Sequence, residues 1–177
     1  TFVTMSLSDA HGNLSQHTFI VTVIDNEDPV LEGIPGDLSQ LTDPGVCGAS
    51  VNWNPPTATD NCDLGELVTS HQPGEFFPVG TTTVSYSQSD ANGNVVAAQF
   101  LVTVSDNESP TIATSGNLTI PAPEGTCTAT LNIPTPNASD NCVVVDLYND
   151  LNGTDDASGT YDHGSTILQW TATDNHG

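Results

Sequence analysis

Several short motifs of this sequence recur, in the same order, about 80 residues further along the chain. The triplet "DNC" stands at 60–62 and again at 140–142, and "DNED" at 25–28 returns as "DNES" at 106–109. Self-similarity at a fixed interval is the signature of tandem modules, in which each unit is one small domain or part of one. The sequence therefore predicts a row of similar domains and not a single large core.

The recurring phrases also predict where the domains begin and end. A glycine-containing turn phrase occurs three times, as "DAHGN", "DANGN" and "DNHG" at 9–13, 90–94 and 174–177. From these positions we expect one complete repeat between two incomplete ones. The segments are the last two strands of a preceding repeat (1–24), a complete repeat (25–105) and a second repeat that lacks its final strand (106–177).

Within the repeat, apolar and polar residues alternate, so the period is two and not 3.6. The alternation assigns these residues to inward faces in the complete repeat: Cys47, Ala49, Val51, Trp53, Val84, Tyr86, Phe100, Val102 and Val104. Their equivalents elsewhere are Cys127, Ala129, Leu131, Ile133, Leu168, Trp170, Val3, Met5, Phe19, Val21 and Val23. Twelve prolines disfavour long helices. We predict an all-β fold of tandem immunoglobulin-like β-sandwiches.

The order of motifs across 25–105 resembles the hyalin repeat, the HYR domain. The motifs are "DNC" (60–62), "FPVGTTTVSY" (77–86), "SDANGN" (89–94) and "FLVTVSD" (100–106). The next segment fits less closely, because "FPVGTTTV" becomes "YDHGSTIL". The resemblance implies an immunoglobulin-like fold in extracellular, multi-repeat proteins of adhesion, matrix or cell surface, with no catalytic site common to the family.

The charge of the chain restricts its partners. It has 22 aspartates and glutamates but no lysine or arginine, which gives a formal net charge of −22. Nucleic acid is excluded as a partner, because neutralising phosphates needs cationic side chains. No apolar run of about 18 residues is present, so we expect no membrane span. The acidic charge has to be screened from outside, by a divalent metal or by salt.

Three acidic loops are predicted to meet at one end of each sandwich, because the first strand begins there beside the B–C and F–G loops. Carboxylates that converge without a basic residue repel one another unless a cation lies among them, and Ca²⁺ prefers such oxygen ligands. The predicted calcium ligands are Asp25, Glu27, Asp60, Asp90 and Asn92 at one junction, and Asp106, Glu108, Asp140 and Asp174 at the next. The alternative is that Asp, Asn and Gly serve only the tight turns.

The four cysteines form two pairs with the same spacing of 15 residues, Cys47 with Cys62 and Cys127 with Cys142. Zinc sites usually contain C-x-x-C motifs, and this chain has none. The spacing favours two disulfides, each within its own repeat, and hence a location outside the cell or on its surface.

Other motifs add weaker expectations. Glycosylation is predicted at the sequons of Asn13, Asn117, Asn137 and Asn152, whereas Asn107 lies in the junction phrase. His11 and His176 occupy the same place in the turn phrase and are interpreted as turn residues. No nucleophile elbow, phosphate loop or Cys–His pair occurs, so we do not expect an enzyme.

The sequence thus predicts a structural module of an extracellular rod, fibre or surface adhesin. Its expected partners are other copies of itself placed end to end, or further repeats of the same chain. Strand 13–23 of one copy could complete 106–177 of the next, or the chain could be a piece of a longer array. The alternative function is an adhesive or carbohydrate-binding module that uses loop aromatics, namely Phe76, Phe77 and Tyr148.

Overall fold

The structure is a computed structural model that describes residues 1–113 and 116–175. Within them the regular elements are β1 (Phe2–Ser8), β2 (Leu14–Ile20), β3 (Val30–Glu32), β4 (Leu38–Leu41), β5 (Gly48–Ser50), β6 (Thr57–Thr59), β7 (Leu64–Thr69), β8 (Phe76–Pro78), β9 (Gly80–Asp90), β10 (Val95–Ser105), β11 (Thr111–Ala113), β12 (Thr128–Leu131), β13 (Asn137–Ser139), β14 (Val144–Asn149), β15 (Gly159–Asp162) and β16 (Trp170–Asp174). The predicted all-β class is confirmed. None of the described residues forms a helix that could cross a membrane.

The chain forms two compact units, each of which is discontinuous in sequence. Unit 1 consists of Thr1–Ile34, Pro55–Ser70 and Ser85–Gln99, and unit 2 of Pro35–Asn54, His71–Val84 and Phe100–Gly177. Strands β9 and β10 run through both, and the strand order of their sheet is β4-β10-β9-β7. The several sheets are consistent with a β-sandwich, whereas the immunoglobulin-type topology and the limits of the repeats stay predictions.

In unit 1, the hairpin of β1 and β2 is antiparallel, in register from Phe2 opposite Ile20 to Ser8 opposite Leu14. Its predicted inward face is wrong, because Met5 is 59% exposed and Phe19 is 40% exposed. The reason is that β1 and β2 form a two-stranded sheet that pairs only with itself. Strand β3 pairs with β6, and β7 pairs with the end of β9, where Leu64 lies opposite Asp90.

The core of unit 2 is built by the predicted alternation. Strand β5 pairs with β8, and β4 runs parallel to the end of β10, with Leu38 opposite Val102. The buried residues of this core include Ala49, Val51, Phe77, Val84, Phe100, Val102 and Val104. Those that the sequence assigned to inward faces are confirmed, and so is Tyr86 in unit 1. The pairs β11–β13, β12–β15 and β14–β16 complete the unit, and their inward residues are half-buried.

Trp53 lies at the edge of this core. Its indole meets the rings of Phe77 and Phe100 edge-on, with centroids 5.9 Å and 5.5 Å away. Edge-to-face geometry suits the quadrupoles of aromatic rings. The ring is only half-buried, so Trp53 covers the core on one side and is not enclosed by it.

Replacing this ring tests the packing of the core. We expect Trp53→Ala to lower the free energy of unfolding by about 3 kcal/mol, because the contacts with two buried aromatic rings are lost. The control Leu41→Ala removes a side chain that is 53% exposed and should cost under about 1 kcal/mol. Urea unfolding followed by fluorescence or circular dichroism measures both, and equal losses would contradict the assignment.

Gly48 is required where β5 meets β8. A Cβ atom added there would lie 2.5 Å from the backbone oxygen of Phe77, which the strand pairing holds in place. We therefore expect Gly48→Ala to destabilise the chain by about 1–3 kcal/mol. Gly36→Ala is the matched control, because its Cβ would meet no atom within 4 Å and its effect should stay within about 0.5 kcal/mol. Thermal unfolding of the two variants gives the comparison.

Candidate metal centres

Three of the predicted calcium ligands come together in unit 1. One carboxylate oxygen from each of Asp25, Asp60 and Asp90 lies within 4.8 Å of the other two. Asp25 lies between β2 and β3, Asp60 follows β6, and Asp90 ends β9. We call these three residues the first acidic cluster. Because the chain has no lysine or arginine, no ion pair with those side chains can offset their repulsion.

Turn chemistry holds each of these carboxylates in place. Asp90 Oδ1 accepts the backbone N–H groups of Asn92, Gly93 and Asn94 at 2.9, 2.6 and 2.8 Å. Asp60 Oδ2 accepts the N–H of Cys62 at 2.9 Å. The turn role that the sequence offered as an alternative is therefore real. It uses one oxygen of Asp60 and does not account for the other.

Asparagine amides connect the loops of the first acidic cluster. The Nδ2 of Asn61 donates to Glu27 Oε2 at 3.2 Å and to Asp25 Oδ1 at 3.5 Å. Asn92 Nδ2 donates to Asp25 Oδ2 at 3.3 Å. The predicted ligand set omitted Asn61, although the recurrence of "DNC" marks that position as well as the aspartate before it.

A second cluster lies in unit 2, at the equivalent positions. Asp106, which is only 7% exposed, and Asp140 bring their carboxylates within 4.8 Å of each other and of the Cys142 sulfur. Asp106 Oδ1 accepts Asn141 Nδ2 at 3.0 Å, and Asp140 Oδ2 accepts the N–H of Cys142 at 3.0 Å. We call Asp106, Asp140 and Asn141 the second acidic cluster. Asp174 is buried but does not belong to this group.

The predicted ligand Glu108 contacts a loop from earlier in the chain. Its Oε1 accepts the backbone N–H of Gly45 at 2.7 Å. From the same loop, Thr42 donates its hydroxyl to Asp106 Oδ1 at 3.2 Å, and the carbonyl of Val46 accepts Asn141 Nδ2 at 3.2 Å. All of these residues lie within unit 2, so the loop over 42–47 is part of the second acidic cluster's surroundings.

Both clusters contain buried oxygens without a hydrogen-bond partner among the described residues. These are Oδ1 of Asp60, Oδ2 of Asp106, Oδ1 of Asp140 and Oδ1 of Asn141. A buried carboxylate oxygen without a donor is costly, and such orphans are few in native proteins. In each side chain one polar atom fixes the loop and the other is left over. This is the arrangement that a cation would complete.

The chemistry of the donors fits a hard cation. Oxygens of carboxylates and amides suit Ca²⁺, which takes six to eight of them at about 2.3–2.6 Å. Cys142 sulfur is bound in a disulfide and is not available as a thiolate. A shallow depression of about 150 Å³ borders the second acidic cluster and is lined by Glu108, Ser109, Thr111, Ser139, Asp140 and Asn141.

Hydrogen bonds favour the charged form of these carboxylates. The N–H of Glu27, followed by the Cys62 thiol, lowers the pKa of Asp25. Burial would raise the pKa of Asp90, but the hydrogen bonds from Asn94 and its neighbours outweigh burial and lower it. The Asn141 amide, despite burial, lowers the pKa of Asp106. The carboxylates of Asp25, Asp90 and Asp106 are therefore anionic at neutral pH.

The disulfide differs from the predicted pairing. Cys47 is bonded to Cys142 across 95 residues, with Cα atoms 4.6 Å apart, and Cys62 and Cys127 are exposed free thiols. The predicted pairs Cys47–Cys62 and Cys127–Cys142 are therefore wrong. The physical reason is that the loop over 42–47 packs on the second acidic cluster, where Cys142 lies.

The hydrogen bond to Asp25, with burial and nearby carboxylates, raises the pKa of the Cys62 thiol.

Most of the remaining predicted sites that the structure describes lie at the surface, whereas Phe77 and Tyr148 do not. The sequon residues Asn13, Asn117, Asn137 and Asn152 are exposed, and their glycosylation stays a prediction. Phe77 was wrongly counted among loop aromatics, because it is only 1% exposed in β8, whereas Phe76 is 53% exposed. Tyr148 is half-buried in β14 and His11 is exposed, while His176 lies outside the described residues.

Comparison with known proteins identifies the repeat. A sequence model of the HYR domain matches residues 24–104, which contain the whole first acidic cluster. Residues 24–104 are an HYR domain. No solved structure matches the chain.

Curated relatives extend the similarity beyond this domain to the whole chain. The chain is 34% identical to hyalin of Strongylocentrotus purpuratus over its full length and 36% identical to hyalin of Lytechinus variegatus over 80% of it. A stretch covering 44% of the chain is 35% identical to part of the sushi, von Willebrand factor type A, EGF and pentraxin domain-containing protein 1 of Rattus norvegicus. The chain spans 15% and 28% of the two hyalins and 2% of the rat protein.

The lowered pKa values predict how stability depends on pH. Above about pH 5, Asp25, Asp90 and Asp106 are almost fully ionised in both the folded and the unfolded chain, so their hydrogen bonds contribute fully. As the pH falls below the ordinary value of 3.8 towards their lowered pKa values, the unfolded chain takes up protons first and stability is lost. Urea unfolding in chelator from pH 7 to pH 2 should show this loss only on the acid side.

A variant separates this effect from general acid denaturation. Asp90→Asn should make the acid-side loss of stability smaller, whereas the exposed Asp155→Asn should leave it unchanged. Identical curves for the parent chain and Asp90→Asn would contradict a role for this carboxylate.

Proposed function

We propose that this chain is a structural segment of an extracellular rod, fibre or surface adhesin, built from HYR repeats joined end to end. HYR proteins such as hyalin are extracellular or cell-surface proteins, and this chain shares that location. The observation that carries the proposal is the bond from Cys47 to Cys142, which links an HYR domain to the segment that follows it. Such a bond resists separation of neighbouring repeats.

The contacts beside this bond support the same role. The loop over 42–47 reaches Asp106, Glu108 and Asn141 through three hydrogen bonds. These partners lie just beyond the last residue of the matched domain or in the following segment. A module whose loop contacts the next module suits transmission of force along a row of domains better than binding of a small molecule.

Calcium is the second element of the proposal. The ion would be held by Asp25, Asp60 and Asp90 in the first acidic cluster and by Asp106, Asp140 and Asn141 in the second. The support is the orphaned buried oxygens, the absence of lysine and arginine from the sequence, and the oxygen-rich donor set. Bound calcium would neutralise carboxylates that otherwise repel one another and would make each junction stiffer.

Partners of this segment would be further copies of itself or further repeats of its own chain. The relatives are longer than this chain. The match to hyalin of Strongylocentrotus purpuratus is 34% identical and covers 15% of that protein. Glycans would be carried by exposed sequons such as Asn117.

Calcium removal is the direct test. After treatment with chelator, we expect added Ca²⁺ to raise the melting temperature, because a ligand that binds only the folded state stabilises it. At a tenfold excess over its dissociation constant the gain is about 1.4 kcal/mol per site. For a repeat of about 80 residues this gain corresponds to a rise in melting temperature of roughly 5–10 °C. Calorimetry measures the shift, and Na⁺ at equal ionic strength controls for screening.

Two variants show whether each cluster is a site. Asp60→Asn and Asp106→Asn keep an oxygen that can accept the hydrogen bonds of the turns, but each removes one charge. Each variant should lose part of the Ca²⁺ shift, and the double variant should lose most of it. Asp155→Asn, an exposed aspartate outside both clusters, should keep the whole shift. A parent chain whose melting temperature ignores Ca²⁺ would overturn the calcium proposal.

A further inference from the structure

The observed disulfide joins two different places in the repeat. Cys47 is the first cysteine of its repeat, and Cys142 is the second cysteine of the following one, in the triplet "DNC". Cys127 is the first cysteine of the following repeat and Cys62 the second cysteine of the matched domain. The observed bond joins the first cysteine of one repeat to the second cysteine of the next repeat. By the same pattern, Cys127 would pair with the second cysteine of a repeat that comes after its own. Cys62 would pair with the first cysteine of a repeat that comes before its own.

The loop around Cys127 already has the shape of the loop around Cys47. In one loop the N–H of Val46 donates to the carbonyl of Asp43 at 3.0 Å, and in the other the N–H of Thr126 donates to that of Pro123 at 3.1 Å. Each turn has a glycine in the left-handed region at the same position, with φ of 71° at residue 45 and 79° at residue 125. Both cysteines are exposed at the end of the turn.

The loop around Cys62 likewise matches the loop around Cys142. The N–H of Cys62 donates to Asp60 at 2.9 Å, just as the N–H of Cys142 donates to Asp140 at 3.0 Å. The preceding junction phrases also match, because the N–H of Glu27 donates to Asp25 at 3.1 Å and that of Glu108 to Asp106 at 3.2 Å.

The surroundings of Cys62 and Cys142 differ in one respect. The loop over 42–47 covers the surroundings of Cys142. Glu108 and Asn141 are bonded to the backbone of Gly45 and Val46. Their equivalents Glu27 and Asn61 are instead bonded to each other, at 3.2 Å. Cys62 and its neighbours are therefore arranged like the Cys142 site, with local hydrogen bonds where a loop of the Cys47 type would lie.

We infer that Cys127 of one copy of this chain forms a disulfide with Cys62 of a second copy, placed head to tail. The occupant of the Cys62 site is the loop over 122–127, since it has the same turn as 42–47 and ends in a free thiol. The inference rests on the proposed function, because both need repeats joined end to end. It adds that the joint between copies is covalent.

The bond requires an oxidant, for which a small-molecule disulfide is sufficient. Oxidised glutathione reacts with the Cys127 thiolate, giving a mixed disulfide and one reduced glutathione. The Cys62 thiolate then attacks the protein sulfur of that mixed disulfide and releases the second glutathione. Two thiols lose two electrons and two protons, and one glutathione disulfide gains them.

Complementing variants test the direction of the bond. The full chain in a glutathione redox buffer should give a ladder on non-reducing electrophoresis that a reductant removes. Cys62→Ser and Cys127→Ser alone should each stay monomeric. Their equimolar mixture should give dimers and nothing larger, because each variant retains one half of the joint. Labelling one variant with ¹⁵N and mapping peptides should find Cys127 linked to Cys62 of the other.

A chain with an unrelated exposed thiol measures random collision. Thr83→Cys in the Cys62→Ser/Cys127→Ser background places a cysteine on an exposed strand position. The complementary mixture should form dimers at least about tenfold faster than this control, since docking raises the effective concentration of the two thiols. Equal rates would mean that no docking site exists, and the inference would fail.

The same peptide map separates this inference from the proposed function. A Cys47–Cys142 peptide without any Cys127–Cys62 peptide would reject the covalent joint and leave the proposed function standing. Absence of the Cys47–Cys142 peptide would remove the observation on which the proposed function depends. Dimers of either single variant, or a bond between Cys62 and Cys127 of one chain, would also reject the head-to-tail joint.

Discussion

The chain has no lysine or arginine, so its buried carboxylates depend on N–H and O–H donors or on a cation supplied from outside. Asp90 is satisfied by the first route, with three backbone N–H groups and the Asn94 amide around it. Asp60 and Asp106 are satisfied on one oxygen only. The turns and the metal proposal are therefore two consequences of one constraint. A lysine in either cluster would neutralise part of the carboxylate charge, and a bound cation would then not be needed.

The strand faces could be predicted because alternation is a local property. Val84, Phe100, Val102 and Val104 lie on pleated strands whose successive side chains point to opposite faces, and they are buried as expected. Alternation failed in the hairpin of β1 and β2, whose burial depends on a second sheet and not on its own sequence. Phe77 was missed for another reason, because it was counted among loop aromatics although it lies in β8 and is buried there.

The pairing of the cysteines could not be predicted, because equal spacing along a chain does not determine distance in space. The 15-residue interval recurs because each repeat has the same loops. It does not show which loop of a neighbouring repeat each cysteine contacts. The convergence of Asp25, Asp60 and Asp90 was more accessible, because it needed only the order of loops within one repeat. The contribution of Gly45 and Val46 to the second acidic cluster depended on contacts between repeats. The sequence carries no separate signal for them.

The disulfide is directional, because it joins two unlike loops. A loop of one repeat binds a different place on the next, so the contact is heterologous and does not close on itself as a two-fold dimer does. Under the proposed function, each repeat would accept a loop at its "DNC" triplet and offer a loop at its first cysteine. The stability of each repeat would then depend on its neighbours. The proposed linear array would need only one asymmetric contact, repeated along the row, of the kind that the loop over 42–47 makes with the second acidic cluster.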